Sequence, residues 1–497
     1  MDADNAFNRV SRWQALAQVA LHFPYFMPFL GRIYGEDSNG WFFGYNSETT
    51  CTGITAIPSL EGVHQGDVMG SWLHCMATLP FIKDLAAIIG DDGFVKFFID
   101  DGNLSGDYKT MGKAIDHVLS AGDAVGYFLK LTKGTYLLGR CTSRLEALRR
   151  KAELVIKYKF KQEMIRIHPD NGGDPLLYGA KVLGSFVGSG EYIVAQLDAK
   201  LTELTKEAEA ITRVSSLQVQ YLLLRWCFCQ KIIYLQRTTD PYLLDTHLAP
   251  RFDDLKRLIL SSILGRVDGI PDKTFLLAQL HIQDSGLGLF DSGSTTKAAY
   301  AASMIECRAE IQSMKNTCHH ESCQLVDPTT VVENGAIACI ETFQTIDPSI
   351  TWDSLQEIAQ ESKDKPGAPT VQQYLSKLYR PSQRAYVADL FTTPREVAWL
   401  ESIRDPQAGL WLDFAPKTNM HRMSNEQFRV ALTLRLHMPQ KAILPGTMCD
   451  CRKPGKTAIA LDVEGIHLTS GCSKRGTATH NHDRLKDQAV KTIILWP

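Results

Sequence analysis

The chain has 497 residues, a net charge of −2, 44% hydrophobic residues and 12 cysteines. That length gives a prior of roughly three domains, with ample apolar content for sizeable cores. The near-zero balance excludes a global basic field, so a nucleic-acid surface has to concentrate its positive charge locally. Cysteines this sparse are not a disulfide framework, and Cys227 and Cys229 sit in an apolar helical context. A reducing intracellular compartment, nucleus or cytoplasm, fits better than secretion. The chain opens on Asp2 and Asp4, so no signal peptide is expected. Its most apolar early run, Leu16 to Leu30, is broken by His22, Pro24 and Pro28, so no membrane span is expected there.

The first stretch, Asp2-Ala3-Asp4-Asn5-Ala6-Phe7-Asn8, places an aromatic five residues after a carboxylate. Residues 9 to 35 read as an amphipathic helix ending near Pro24 and a second short one, with Trp13, Leu16, Val19 and Ala20 at helical spacing. Residues 36 to 60 read as a hairpin. A Gln65-Gly66 loop follows, then a buried helix from Ser71 to Ile89. The run Phe94 to Ile99 ends in Asp100-Asp101-Gly102 and resumes as Asn103-Leu104-Ser105, a tight β-hairpin with Asp101-Gly102 serving the turn. Two adjacent carboxylates are costly unless something positive neutralises them, and hard oxygens suit Mg²⁺. Alone, the stretch also fits a polar hairpin tip, as Asp91-Asp92-Gly93 does. A helix from Thr110 to Tyr127 and a strand over residues 126 to 138, carrying Lys130 and Lys133, come next.

From Arg140 to Arg166 there are nine Lys or Arg against three Glu. Arg149, Arg150, Lys151, Lys157, Lys159 and Lys161 form its core, with Tyr158 and Phe160 interleaved. The stretch is either a phosphate-neutralising patch or a solvated helix face. Residues 191 to 265 are strongly helical, with Arg225 and Lys231 spaced along an apolar run from Val219 to Leu235. Gly286-Leu287-Gly288-Leu289 lacks the GxGxxG pattern or a following lysine and is no nucleotide loop. Cys318-His319-His320-Glu321-Ser322-Cys323 lacks a second ligand pair and reads as a polar loop. Lys363 to Pro369 reads as a linker, residues 370 to 440 as helices, and Ser424 with Gln427 has capping-box spacing. In the tail, Cys449, Cys451, His467 and Cys472 form a Cys₃His set that either binds tetrahedral Zn²⁺ or comprises unrelated loop residues.

The carboxylate with its aromatic, the Gln-Gly loop and the aromatic-x-Asp-Asp hairpin, in that order, resemble blocks A, B and C of the palm of retroelement reverse transcriptases. Lys133 resembles block D, and Lys181 to Gly188 resembles the primer-holding strand and turn of block E. Arg225 to Lys231 resembles the thumb of such polymerases, and Phe275 to Phe290 with Ala298 to Ala302 resemble a connecting segment. Ala408 to Leu412, Met423 to Leu436 and the terminal Cys/His set resemble the region before the restriction-like endonuclease of certain non-long-terminal-repeat retrotransposons.

The resemblance implies an α+β chain. It comprises a truncated right-hand palm over 1–190, a helical thumb over 191–265, a connector over 266–363, a helical linker domain over 370–440 and a zinc-knuckle-like module over 441–497. Asp2, Asp100 and Asp101 would hold two Mg²⁺, Lys133 would lie near the leaving pyrophosphate, and Phe7 would exclude a ribose 2′-hydroxyl. Gln65 and Gly66 would meet the templating base and the sugar, where other members usually carry proline at the position of Val68 and a different residue at that of His64. Implied partners are an RNA template, a DNA primer and deoxynucleotides. Because the first metal ligand follows Met1 directly, the family's fingers are expected to be missing, with no primer extension by this chain. That leaves an RNA-directed DNA polymerase by descent or an inactive remnant that only binds nucleic acid. A palm-like cyclase or metal phosphohydrolase would share the aspartates but needs neither thumb nor connector.

Overall fold

A computed structural model describes residues 1, 3–35, 39–45, 51–58, 61–131, 133–310, 328–417, 421–440, 448–449 and 459–460. The class is α+β, mostly helical with short two-stranded sheets. The chain divides into two compact units, residues 1–195 with 307–333 and residues 196–306 with 334–497. Most of the segments expected as separate thumb, connector and linker therefore share the second unit.

The first unit holds α1 (Ala6–Arg9), α2 (Arg12–His22), α3 (Met27–Tyr34), β1 (Asn39–Tyr45), β2 (Cys51–Pro58), α4 (Gly70–Ile89), β3 (Phe94–Phe98), β4 (Asp101–Ser105) and α5 (Tyr108–Val125). It continues with β5 (Tyr136–Leu138), α6 (Arg144–Tyr158), β6 (Ile165–Ile167), β7 (Gly179–Val182), β8 (Ser185–Gly188) and the start of α7 (Gly190–Thr212). Local chemistry sets the boundaries. Ser11 accepts the Gln14 N–H at the start of α2, which stops at Phe23 before Pro24. Asp107 accepts the Lys109 and Thr110 N–H groups at the start of α5, and Gly126 ends that helix in the left-handed conformation.

Helix α4 is apolar almost all round because it is buried on two sides. Leu73, Met76 and Ala77 pack with Val10, Val19, Leu30 and Tyr34. One turn on, Phe81, Leu85 and Ile89 pack with Ala3, Ala6, Ala114, Val118 and Tyr127. Among the described residues α4 is the one helix long and apolar enough to cross a membrane, and this burial accounts for its composition. In front of it, β3 and β4 pair antiparallel, and the start of the chain lies along β4. The Met1 amine donates to Gly102 O at 2.6 Å and the Gly102 N–H donates back to Met1 O at 3.2 Å. Ala3 then bridges Leu129 antiparallel, with the Asp4 N–H donating to Phe128 O at 2.7 Å.

One expectation needs correction. No continuous strand runs over residues 126 to 138. After Leu129 the Lys133 and Gly134 N–H groups turn back onto Lys130 O, and β5 pairs in parallel with β6 in a separate two-stranded sheet. The apolar run Val219 to Leu235 is helical in several short pieces. An α segment, Leu217–Leu222, passes into a π turn at Leu223–Cys227 and a 3₁₀ turn at Phe228–Gln230 before Ile233–Thr238. There Phe228 stacks on Phe252 at 4.9 Å.

The second unit is built on a core of Ala298, Ala301, Ala336, Phe343, Leu355, Val371 and Leu375, among others. Its helices start on reciprocal caps at Thr351, Thr370, Thr393 and Ser424, the last with Gln427 as its spacing indicates.

Candidate functional site

Hairpin pairing sets Phe98 opposite Asp101 and Phe97 opposite Gly102. The two-residue tip is therefore Ile99-Asp100, and Asp101-Gly102 belongs to the returning strand, correcting the expected turn. Ile99 carries a φ of 59°, a left-handed conformation that a β-branched residue adopts only under strain. Gly102 is required by close approach, since a Cβ there would lie 2.7 Å from the Phe97 ring. Phe97 in turn packs edge-on against Phe81 and Tyr127, at 6.5 and 5.8 Å. The Tyr127 hydroxyl donates to Asp100 O at 3.3 Å. Asp100 ends up half-buried and Asp101 exposed, side by side on a tip whose backbone is fixed from behind.

Asp2 lies outside the described residues, and its neighbours Met1 and Ala3 are the ones hydrogen-bonded to Gly102 and bridged to Leu129. Asp4 is accounted for differently. Lys130 at 2.9 Å and Arg9 at 3.3 Å hold its carboxyl below the usual carboxylate range, Lys130 contributing most. Lys133, the expected pyrophosphate-side lysine, is exposed in the Lys130–Gly134 turn, and Lys130 reaches the first segment at Asp4.

Phe7 stacks on His74 with ring centroids 5.4 Å apart. His74, on α4, is 1% exposed, and its Nδ1 has no hydrogen-bond partner among the described residues. Burial pushes its pKa down, against the opposing pull of the Asp100 charge. This residue links the expected sugar-facing aromatic to the acidic tip, and sequence reasoning missed it. Its only signal was a lone histidine on an apolar helix.

Gln65 and Gly66 are the central residues of a turn closed by the Asp67 N–H on His64 O at 3.2 Å. Gly66, with φ 92°, occupies the third position, where a type II turn requires a positive φ. Both residues are exposed, and the space beside Gly66 is open.

The basic stretch is not one free patch. Arg150 pairs with Glu146 and lies 4.7 Å over the Tyr108 ring. Lys157 donates to Asp116 at 2.9 Å and to the Tyr158 hydroxyl at 2.7 Å, and these bonds, the tyrosine's first, raise its pKa. Tyr158 and Phe160 are core residues packed with Leu138, Leu154 and Ile165, so they offer no stacking surface, correcting the interleaved reading. Arg149 and Lys159 are exposed and Lys151 is half-buried. In the second unit Arg225 pairs with Asp413, and Lys231 pairs with Glu207 at 3.1 Å. Cys229 is buried and Cys227 exposed.

Of the Cys₃His set, Cys449 is buried in a two-residue strand paired with Ile459–Ala460, while Cys451, His467 and Cys472 lie outside the described residues. Cys318 to Cys323 lies outside them too. Among the described residues no group of three or more His, Cys, Asp or Glu is placed to hold a metal. No protein-family model matches the chain, and no curated protein matches it.

Proposed function

We propose that the first unit is a polymerase palm of the retroelement reverse-transcriptase type, acting in nucleotidyl transfer on an RNA template and a DNA primer. The observation that carries this reading is the backbone pairing at the tip. Met1 is bonded in both directions to Gly102, next to Asp101 on the hairpin, and Ala3 bridges Leu129. Two adjacent acids at the tip, with Asp2 as the third acid that the resemblance implies, suit hard divalent cations, whose octahedral preference calls for few carboxylates and several non-protein oxygens.

Asp2, Asp100 and Asp101 would hold two Mg²⁺, which when bound activate a primer hydroxyl and neutralise leaving phosphates. Phe7, braced by His74, excludes a ribose 2′-hydroxyl. Gly66 lets the backbone approach the incoming sugar and Gln65 meets the template side. Lys130 and Arg9, held on Asp4, keep positive charge next to the first segment.

A second reading, a catalytically inactive remnant that only binds nucleic acid, draws on the exposed Arg149 and Lys159 of the basic stretch, since Arg150 and Lys157 are paired with carboxylates of their own chain. Mn²⁺ binding followed by electron paramagnetic resonance, together with binding of an RNA–DNA duplex and deoxynucleotide incorporation on poly(rA), separates the two. Incorporation abolished by Asp100→Ala is the active outcome. Binding of an RNA–DNA duplex with no incorporation is the remnant's. No Mn²⁺ binding removes the two-metal polymerase, and no duplex binding removes the remnant.

A further inference from the structure

The loop before α4 departs from the palm pattern in having valine at 68, and it is built unusually firmly. Two turns follow one another. The first is closed by the Asp67 N–H on His64 O, the second by the Gly70 N–H on Asp67 O at 3.0 Å. Asp67 is the hinge between them. Its carboxylate accepts the Met69 N–H at 3.0 Å, an Asx-type turn, and also accepts the Tyr34 hydroxyl. The Tyr34 oxygen in turn accepts the His64 N–H at 3.3 Å, and the Tyr34 and His64 rings lie 5.1 Å apart. One buried phenol therefore ties both ends of the Gln65-Gly66 turn. Its pKa is pushed up to about 12, by burial first and the Asp67 bond second, so it stays a donor throughout the physiological range.

The base of the loop is fastened separately. Arg12, 8% exposed, donates from Nε to Gly62 O and from a terminal nitrogen to Glu61 O, both at 3.0 Å, with its guanidinium 5.3 Å from the Tyr34 ring centroid. The Val63 N–H donates to Phe7 O at 2.7 Å, so the loop is bonded to the backbone of the aromatic assigned to the sugar. Against this frame Val68 is 93% exposed, at the second position of the Asp67–Gly70 turn, the position at which proline pre-sets the backbone.

We infer that Tyr34, Asp67 and Arg12 are positioning residues that hold the Gln65-Gly66 turn ready for template and nucleotide, doing by hydrogen bonds what a proline at 68 does by a ring. The destination of the loop rests on the polymerase reading. The clamp itself rests only on the bonds above.

The test uses the full chain and three variants. Tyr34→Phe keeps the buried ring and removes one hydroxyl. Asp67→Asn keeps the shape but leaves one acceptor oxygen for two donors. Asp67→Asn/Val68→Pro adds the covalent restraint. Amide exchange at residues 64, 67 and 69 is expected to accelerate about tenfold in each single variant, the loss of one net hydrogen bond, and to return towards wild type in the double variant. Fluorescent deoxynucleotide binding with Mn²⁺ and a poly(rA)–oligo(dT) duplex is expected to weaken several-fold in the single variants and recover in the double. Mn²⁺ binding itself should not change in any variant. Unchanged exchange in Tyr34→Phe overturns the clamp. Faster exchange with unchanged nucleotide affinity, or no rescue by the proline, overturns the positioning role. If the wild type binds no nucleotide or duplex, the polymerase reading falls with the positioning role, while the exchange arm still decides the clamp.

Discussion

The acidic tip of the first unit and the interior of the second treat charge in opposite ways. In the second unit, Lys256 is 2% exposed and donates to Leu289 O, Phe290 O and Ser292 Oγ at 3.1, 2.6 and 3.0 Å, with Asp253 Oδ1 at 2.6 Å. Arg435, 4% exposed, spends its donors on the carbonyls of Ile282, Gly286 and Ala408. These cations are saturated by their own chain and fasten the Gly286–Ser292 segment to the helices around it. At the tip, Asp100 is half-buried and Asp101 exposed, on a backbone held by Tyr127 and Met1 and strained at Ile99. The cations of the second unit serve the fold and are enclosed by partners. On the polymerase reading the acids of the tip are instead aimed at a ligand by a fixed, locally strained backbone.

The contrast breaks most sharply at Lys256. Lys256→Met leaves Asp253 without its cation and strips two carbonyls of their donor, so a loss of about 3–5 kcal/mol is expected in urea unfolding of the full chain. A loss below about 1 kcal/mol would mean water replaces the ammonium and the segment is not fastened by it. A smaller effect is expected at Glu396, whose pKa is drawn down to about 2, by Lys273 first and then by the Thr393 N–H. A depressed carboxylate contributes stability that is present above its unfolded pKa and lost as pH falls through the folded one. Glu396→Gln should therefore cost about 1–2 kcal/mol at pH 7, a value discounted for the half-exposed Lys273, and the difference from wild type should close between about pH 4.5 and 2.

Much of this architecture is legible in the residues. The all-apolar α4, the hairpin ending in two acids, the turn at Gln65-Gly66 and the cap at Ser424 follow from local periodicity and turn chemistry. What is not legible depends on partners far along the chain. The tip falls at Ile99-Asp100 and not at Asp101-Gly102 because Gly102 is occupied in pairing with Met1 and in making room for Phe97, contacts no local rule contains. His74 matters only because residue 7 folds onto it. Tyr158 and Phe160 read as stacking platforms among lysines, yet they are the buried stripe of an amphipathic segment, and the lysines beside them are its wet side.

Ile99 offers a sharper form of the comparison, with stability and ligand affinity predicted to move apart. Ile99→Gly removes the cost of a β-branched residue at positive φ and adds backbone freedom in the unfolded chain, so stability should stay level or rise by up to about 1 kcal/mol. The same freedom loosens Asp100, and Mn²⁺ affinity should fall. If affinity holds while stability rises, the strained tip is incidental and does not aim the carboxylate.

The smallest expected effect separates two neighbours in α6. Arg149 is exposed, whereas Arg150 is held by Glu146 and the Tyr108 ring. A cation already neutralised by its own chain releases no counterion when a phosphate arrives, so it adds nothing to the salt dependence of binding. Arg149→Ala should lower the slope of log affinity against log salt by about one for an RNA–DNA duplex, and Arg150→Ala should leave it unchanged. The same invariance is expected for Lys157→Ala, because Asp116 plays the part of Glu146 there. Equal losses of slope at 149 and 150 would mean that Arg150 abandons Glu146 for the phosphate. In that case pairing within the chain does not mark a charge as belonging to the fold, and the division drawn between the enclosed cations of the second unit and the presented charges of the first would fail at its weakest point, the exposed ion pair.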